Sequence, residues 1–142
     1  MYNKVGELPN ARQLWSRAAG LVLDASGTGY GSTSDRFLHL RELYYNDLAA
    51  LFPGDWPYSM LAVVFANGTI PPHKDGPLAK DYQRYHLVLQ SNPNAWSFHD
   101  GVWQQLKENG IYVMDCTQYH AAVNWGAEPR VHLVIDTAEV RL

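Results

Sequence analysis

Residues 58–66 (YSMLAVVFA), 84–91 (RYHLVLQS), 95–99 (AWSFH), 102–106 (VWQQL), 111–115 (IYVMD), 121–125 (AAVNW) and 130–137 (RVHLVIDT) are short apolar or alternating runs. Turn-forming clusters separate them: NGT, SNPN, HDG, ENG and GAEP. Strands of this length, broken at regular intervals by Gly, Asn, Asp and Pro, predict an all-β sandwich or barrel. The part of the chain that decides the fold is therefore residues 58–138.

The residues before it carry a different period. Leu14, Trp15, Ala18, Leu21 and Val22 recur at spacings of three and four, which predicts a helix over residues 11–23. The glycines and hydroxyl residues of GTGYGSTS, residues 27–34, predict a loop. A second helix is expected next, capped by Ser34 or Asp35 through the free N–H groups of its first turn. Its apolar face is Phe37, Leu40, Tyr44, Leu48 and Leu51, and Pro53 with Gly54 ends it. Residues 1–57 thus read as a helical part packed on the β-rich remainder. No repeat or linker divides the 142 residues, and one domain is expected.

Composition excludes several classes of function. Apolar residues make up 46% of the chain, enough for a core without a staple, and the formal charge is −3. There is no run of Lys or Arg, so neither nucleic acid nor a charged membrane surface is an expected partner. No apolar stretch approaches the roughly 18 residues of a membrane span. The start, MYNKVGELPN, lacks a signal peptide's apolar centre, and Cys116 is the single cysteine. A cytoplasmic protein is the expectation.

Chemistry concentrates in the histidines. His39 falls on the polar side of the second helix and His99 in the HDG turn, where solvation is expected. In PPHKDGP, His73 and Asp75 stand two apart and share one side of an extended segment. His120 follows the IYVMD run. Two imidazoles and one carboxylate make the facial triad of non-haem Fe(II) oxygenases, which leaves three metal positions open. The bland alternative is that H-x-D is an ordinary loop.

Arginines add to the pattern. Arg84 and His86 share one face of their run, and Arg130 and His132 one face of theirs. A strand arginine among apolar neighbours is costly unless it meets an anion, and its planar fork suits a carboxylate. Either a dicarboxylate ligand or structural salt bridges to Asp81, Asp115 or Asp136 would supply one. Cys116 is expected to pack in the β core. Tyr119 and Trp125, which flank His120, are candidates to line a pocket.

The ordered set IPPHKDGPLAKDYQRYHLVL (residues 70–89) and GIYVMDCTQYHAAVNWGAEPRVHLVID (residues 110–136) resembles the aspartyl/asparaginyl β-hydroxylase family. What is specific is the order: a Pro-His step, an R-x-H-L strand, a Met-Asp before a second histidine, and an arginine ten positions after it. The resemblance implies a double-stranded β-helix (a jelly-roll, cupin-like fold) with the two helices packed on it. It implies an Fe(II)- and 2-oxoglutarate-dependent dioxygenase that uses O2 to hydroxylate an amino-acid-like substrate, free or in a peptide. By it, His73, Asp75 and His120 would bind iron, and Arg130 would meet the distal carboxylate of 2-oxoglutarate. Arg84 and His86 would lie near the carboxylate that chelates the metal. Some animal members carry glycine where Asp75 stands. Two rival functions stand beside it: a metal-dependent cupin enzyme without 2-oxoglutarate, against which Arg84 and Arg130 count, and a non-catalytic β-barrel that binds a small ligand, against which the triad counts.

Overall fold

The computed structural model describes residues 1–22, 30–34 and 40–142. Their elements are β1 (Asn3–Glu7), α1 (Ala11–Val22), β2 (Tyr30–Ser34), α2 (Leu40–Leu48), β3 (Tyr58–Val64), β4 (Gly68–His73), β5 (Gln83–Gln90), β6 (Ala95–His99), β7 (Val102–Gln104), β8 (Gly110–Met114), β9 (His120–Asn124) and β10 (Arg130–Thr137). The strands form two antiparallel sheets: a major one ordered β1-β8-β5-β10-β3-β2 and a minor one ordered β4-β9-β6-β7. This is the mainly-β, double-stranded β-helix architecture expected for residues 58–138.

Alternation along β5 and β10 explains the layering. Tyr85, Leu87, Leu89, Val131, Leu133 and Ile135 point to one face, where Leu14, Trp15, Ala18, Leu40, Tyr44 and Leu48 of the two helices cover them. Tyr44 is fully buried there and its hydroxyl donates to the Leu14 carbonyl at 2.6 Å. The opposite residues, Arg84, His86, Val88, Arg130, His132, Val134 and Asp136, belong to the face turned away from the helices. Every residue of β10 is buried. That follows from its position between β5 and β3 with both faces covered, and it is why RVHLVIDT reads as a continuous run rather than an alternation.

The N-terminal part corrects the helical reading of residues 1–57. The helix over residues 11–23 is present as α1, but β1 precedes it and β2 lies within the expected loop, pairing with β3 from Tyr30↔Val64 to Ser34↔Met60. Ser34 therefore ends a strand, and the helix start expected after it lies outside the described residues. Pairing decides both cases. β1 and β2 are the outer strands of the major sheet, each bonded to one neighbour, so polar and glycine-rich sequences serve. Asp35, Phe37 and His39 lie outside the described residues. Leu51 falls just beyond α2, where its N–H donates to the Leu48 carbonyl at 3.0 Å. Among the described residues, no helix is long and apolar enough to cross a membrane.

Candidate active site

The minor sheet delivers two histidines to one point. β4 and β9 pair in register from Gly68↔Asn124 to Ile70↔Ala122, then again at His73↔His120. Three steps on β4 match two on β9, so Pro71 and Pro72 form a bulge. Prolines are tolerated there because β4 is an edge strand that can forgo the missing N–H bond. The bulge also supplies the Pro71 carbonyl, which lies 2.8 Å from His73 Nδ1. His120 repeats the arrangement, with its Nδ1 2.8 Å from the Gln118 carbonyl. A carbonyl can only accept, so each Nδ1 carries a proton, and Nε2 is the atom through which each ring would meet a metal. The two rings stand 4.2 Å apart.

Asp75 closes the group. Its backbone N–H donates to the Cys116 carbonyl at 2.9 Å, which ties the segment after β4 to the loop before β9. That loop is shaped by Asp115, whose carboxylate accepts from the Thr117 N–H at 2.9 Å and hydroxyl at 2.6 Å. Asp75 Oδ2 lies 3.1 Å from His120 Nε2, and Oδ1 is 4.0 Å from His73 Nε2. One ligand atom from each of His73, Asp75 and His120 falls within 4.8 Å of the other two. Two imidazole nitrogens and one carboxylate oxygen at this spacing fit a divalent metal with nitrogen and oxygen preference. Burial also holds His120 below the ordinary imidazole range, which favours its neutral, ligating form.

The three residues line a cavity of about 320 Å³ together with Tyr2, Tyr58, Met60, Ile70, Arg84, His86 and Arg130. The two arginines differ in their partners. Arg84 donates from Nε and Nη2 to the two oxygens of buried Asp136, each at 2.8 Å, and from Nη1 to Asp75 at 2.8 Å. Of the salt bridges expected for it, Asp136 is the one formed; Asp81 and Asp115 are not partners. Arg84 lines the cavity, but its fork is taken by Asp136, so it holds the carboxylate of Asp75 in place.

Arg130 has no such partner. It is 4% exposed, and among the described residues it meets no carboxylate. Its Nη1 donates to His132 Nδ1 at 2.7 Å and its Nε has no partner. Burial pulls the guanidinium down to about 10, still charged at neutral pH. His86 Nδ1 lies 3.1 Å from the same His132 nitrogen, and the Nε2 atoms of both histidines are buried without partners. Burial and the nearby cation hold both imidazoles well below their usual range, so they are neutral.

Three sequence expectations need correction. His99 is 4% exposed, at the end of β6, and its Nε2 bonds the Asp115 carbonyl at 2.8 Å; the solvated turn begins at Asp100. Tyr119 and Trp125 are 55% and 66% exposed, and neither lines the cavity. Cys116 is buried as expected. Tyr2 is a cavity residue that sequence reading missed, because an aromatic residue before a polar edge strand carries no periodic signal.

The family model described as aspartyl/asparaginyl beta-hydroxylase matches residues 20–139. No curated protein matches the chain in sequence. Among solved structures, the fold is similar to AviO1 from Streptomyces viridochromogenes (TM-score 0.63, 14% identity, 97% of this chain and 89% of that one). It is similar to the viral collagen prolyl hydroxylase of Paramecium bursaria Chlorella virus-1, solved as a 2OG complex (0.60, 11%, 95% and 94%). It is also similar to a Pseudomonas putida prolyl-4-hydroxylase (0.58, 18%, 97% and 92%). The chain spans only 56% of the Schizosaccharomyces pombe Cnp3 cupin domain and 38% of AerE from Microcystis aeruginosa.

Proposed function

Because the chain belongs to the aspartyl/asparaginyl β-hydroxylase family, we propose that it is an Fe(II)- and 2-oxoglutarate-dependent dioxygenase that hydroxylates an unactivated C–H of an amino-acid-like substrate. The observation that carries this reading is a pairing of features in one cavity. Ligand atoms of His73, Asp75 and His120 lie within 4.8 Å of each other, and Arg130 is a buried cation that meets no carboxylate among the described residues. A buried charge without a counter-ion is costly. A dicarboxylate bound beside the triad supplies one.

Each residue then has a task. His73, Asp75 and His120 hold the iron through their Nε2 and carboxylate atoms and leave positions free for other ligands. Arg84, fixed by Asp136, orients the carboxylate of Asp75. Arg130 binds the distal carboxylate of 2-oxoglutarate, and the uncharged His86 and His132 leave that cation's field uncontested except by the ligand. When bound, iron and co-substrate supply the oxidising chemistry: O2 is reduced, 2-oxoglutarate becomes succinate and carbon dioxide, and one oxygen atom enters the substrate. Tyr58, Met60, Ile70 and Pro71 line the remaining wall and shield the reacting carbon from water. The net charge and the lack of basic runs favour a small molecule or peptide over nucleic acid.

The test is anaerobic addition of Fe(II) and then 2-oxoglutarate to the full chain, followed by visible absorption. A chelate charge-transfer band is expected. Its absence at saturating co-substrate, with iron bound, would refute the assignment. Substrate class is tested with O2 and a panel of amino acids and short peptides of aspartyl, asparaginyl and prolyl type, reading succinate release against gain of one oxygen atom. Coupled turnover confined to nucleotides, lipids or sugars would overturn the amino-acid reading and leave the co-substrate reading standing.

A further inference from the structure

We infer that Tyr2, the residue before β1, belongs to the co-substrate site: its phenol donates a hydrogen bond to the carboxylate that Arg130 holds. The inference rests on the proposed function and adds a residue that lies outside the family match at residues 20–139.

Tyr2 is held on both sides of its backbone. Its backbone N–H donates to Gln104 Oε1 at 2.7 Å, and its carbonyl accepts from Gln104 Nε2 at 3.1 Å. The ring is 5% exposed, edge-on to His86 at 5.3 Å and to His99 at 5.6 Å between centroids. It lines the same cavity as Arg130, His86 and the triad. Its hydroxyl forms no hydrogen bond to any described residue, which leaves it a donor for a ligand in the cavity. Packing against Val88, Leu106, Tyr112 and Met114 does not account for the hydroxyl, since phenylalanine would fill that space equally well.

The electrostatics point the same way. Burial pushes the phenol up to about 12, so it carries its proton and can donate. The Arg130 cation acts on it in the opposite sense, which puts the hydroxyl and the guanidinium in one electrostatic neighbourhood. A carboxylate drawn to Arg130 therefore meets a second donor there, and a donor to a charged acceptor is worth more than a neutral pair.

The substitution Tyr2→Phe removes one oxygen atom and keeps the ring. Affinities of the anaerobic, Fe(II)-loaded full chain for 2-oxoglutarate and for 2-oxobutyrate, which chelates alike but lacks the distal carboxylate, are measured by calorimetry. Thermal melts confirm the fold. The expected result is 2-oxoglutarate binding weakened roughly ten- to a hundredfold, with 2-oxobutyrate and Fe(II) unaffected. Unchanged 2-oxoglutarate affinity in Tyr2→Phe would overturn the inference, and so would equal loss for both acids, which would mark a packing role. Failure of the unsubstituted protein to bind 2-oxoglutarate is a separate outcome: it overturns the proposed function and this inference with it.

Discussion

Arg84 and Asp136 are Cα partners across the β5–β10 ladder, and their side chains join in a two-pronged salt bridge with both N–O distances at 2.8 Å. The third donor of the same guanidinium reaches Asp75. The hydrogen bonds to Asp136 raise the affinity of Arg84 for its proton. A rigid strand pair thus fixes the one candidate metal ligand that lies beyond the strands of the minor sheet.

Arg84→Met should unfold more easily by about 3–5 kcal/mol, because it leaves the carboxylate of Asp136 buried without its cation. The double substitution Arg84→Met/Asp136→Leu should recover most of that loss, since an apolar pair can replace a buried ion pair at little cost. Fe(II) affinity should stay weakened in the double variant, because Asp75 still lacks its donor. Urea unfolding and anaerobic metal titration separate the two effects. A double variant with full metal affinity would show that Arg84 serves stability alone.

His73→Ala and His120→Ala should each abolish Fe(II) binding and leave the sheets intact. The histidines are register partners on β4 and β9, but the ladder is held by backbone bonds from Gly68 to Ile70. Circular dichroism checks the fold and anaerobic titration checks the metal. Retention of wild-type iron affinity by His120→Ala would remove it from the ligand set.

Much of this site was legible in the sequence. His73, Asp75, His120, Arg84, His86 and Arg130 all line one cavity, because strand period, the Pro-Pro step and an ordered motif are local signals. What the chain does not announce is pairing. The polar NKVGE of β1 and the YGSTS of β2 are strands because a neighbouring strand lends them its bonds. His99 looks like a turn residue but ends a buried strand. The choice between a ligand and an aspartate as the partner of each arginine also depended on register. Asp136 lies opposite Arg84, whereas Val64, opposite Arg130, brings no charge.

Stability should fall on acidification in a way that His86 and His132 set. Both are buried and neutral, with folded values well below 6.5. The unfolded chain therefore binds protons that the folded chain refuses, and stability rises with pH. Their contribution is complete above the unfolded imidazole range, near pH 6.5, and is lost as pH drops below it. Each accounts for up to about 1.4 kcal/mol per pH unit in that window. Unfolding free energies from pH 7.5 to 4.5 for the wild type and for His86→Gln should show a shallower slope in the variant. Equal slopes would mean that His86 takes up its proton in the folded state.

Arg130→Met should divide stability from ligand binding. Without a bound anion, Arg130 is a buried cation whose Nε has no partner, so a methionine of similar length removes a desolvation cost. His132 Nδ1 loses one neighbour but keeps His86 Nδ1 at 3.1 Å. The ligand-free variant should therefore be as stable as the wild type or more stable, by about 1–2 kcal/mol. Binding of 2-oxoglutarate should fall at least about a hundredfold, because the cation left in the cavity, Arg84, is already committed to Asp136 and Asp75. Iron affinity should hold, as Arg130 contacts none of the three candidate ligands. Thermal melts run with and without 2-oxoglutarate read both effects at once. The wild type should be strongly stabilised by the co-substrate and Arg130→Met should not respond. A variant that loses stability without ligand, yet is still stabilised by 2-oxoglutarate as the wild type is, would make Arg130 a structural cation and place the carboxylate elsewhere.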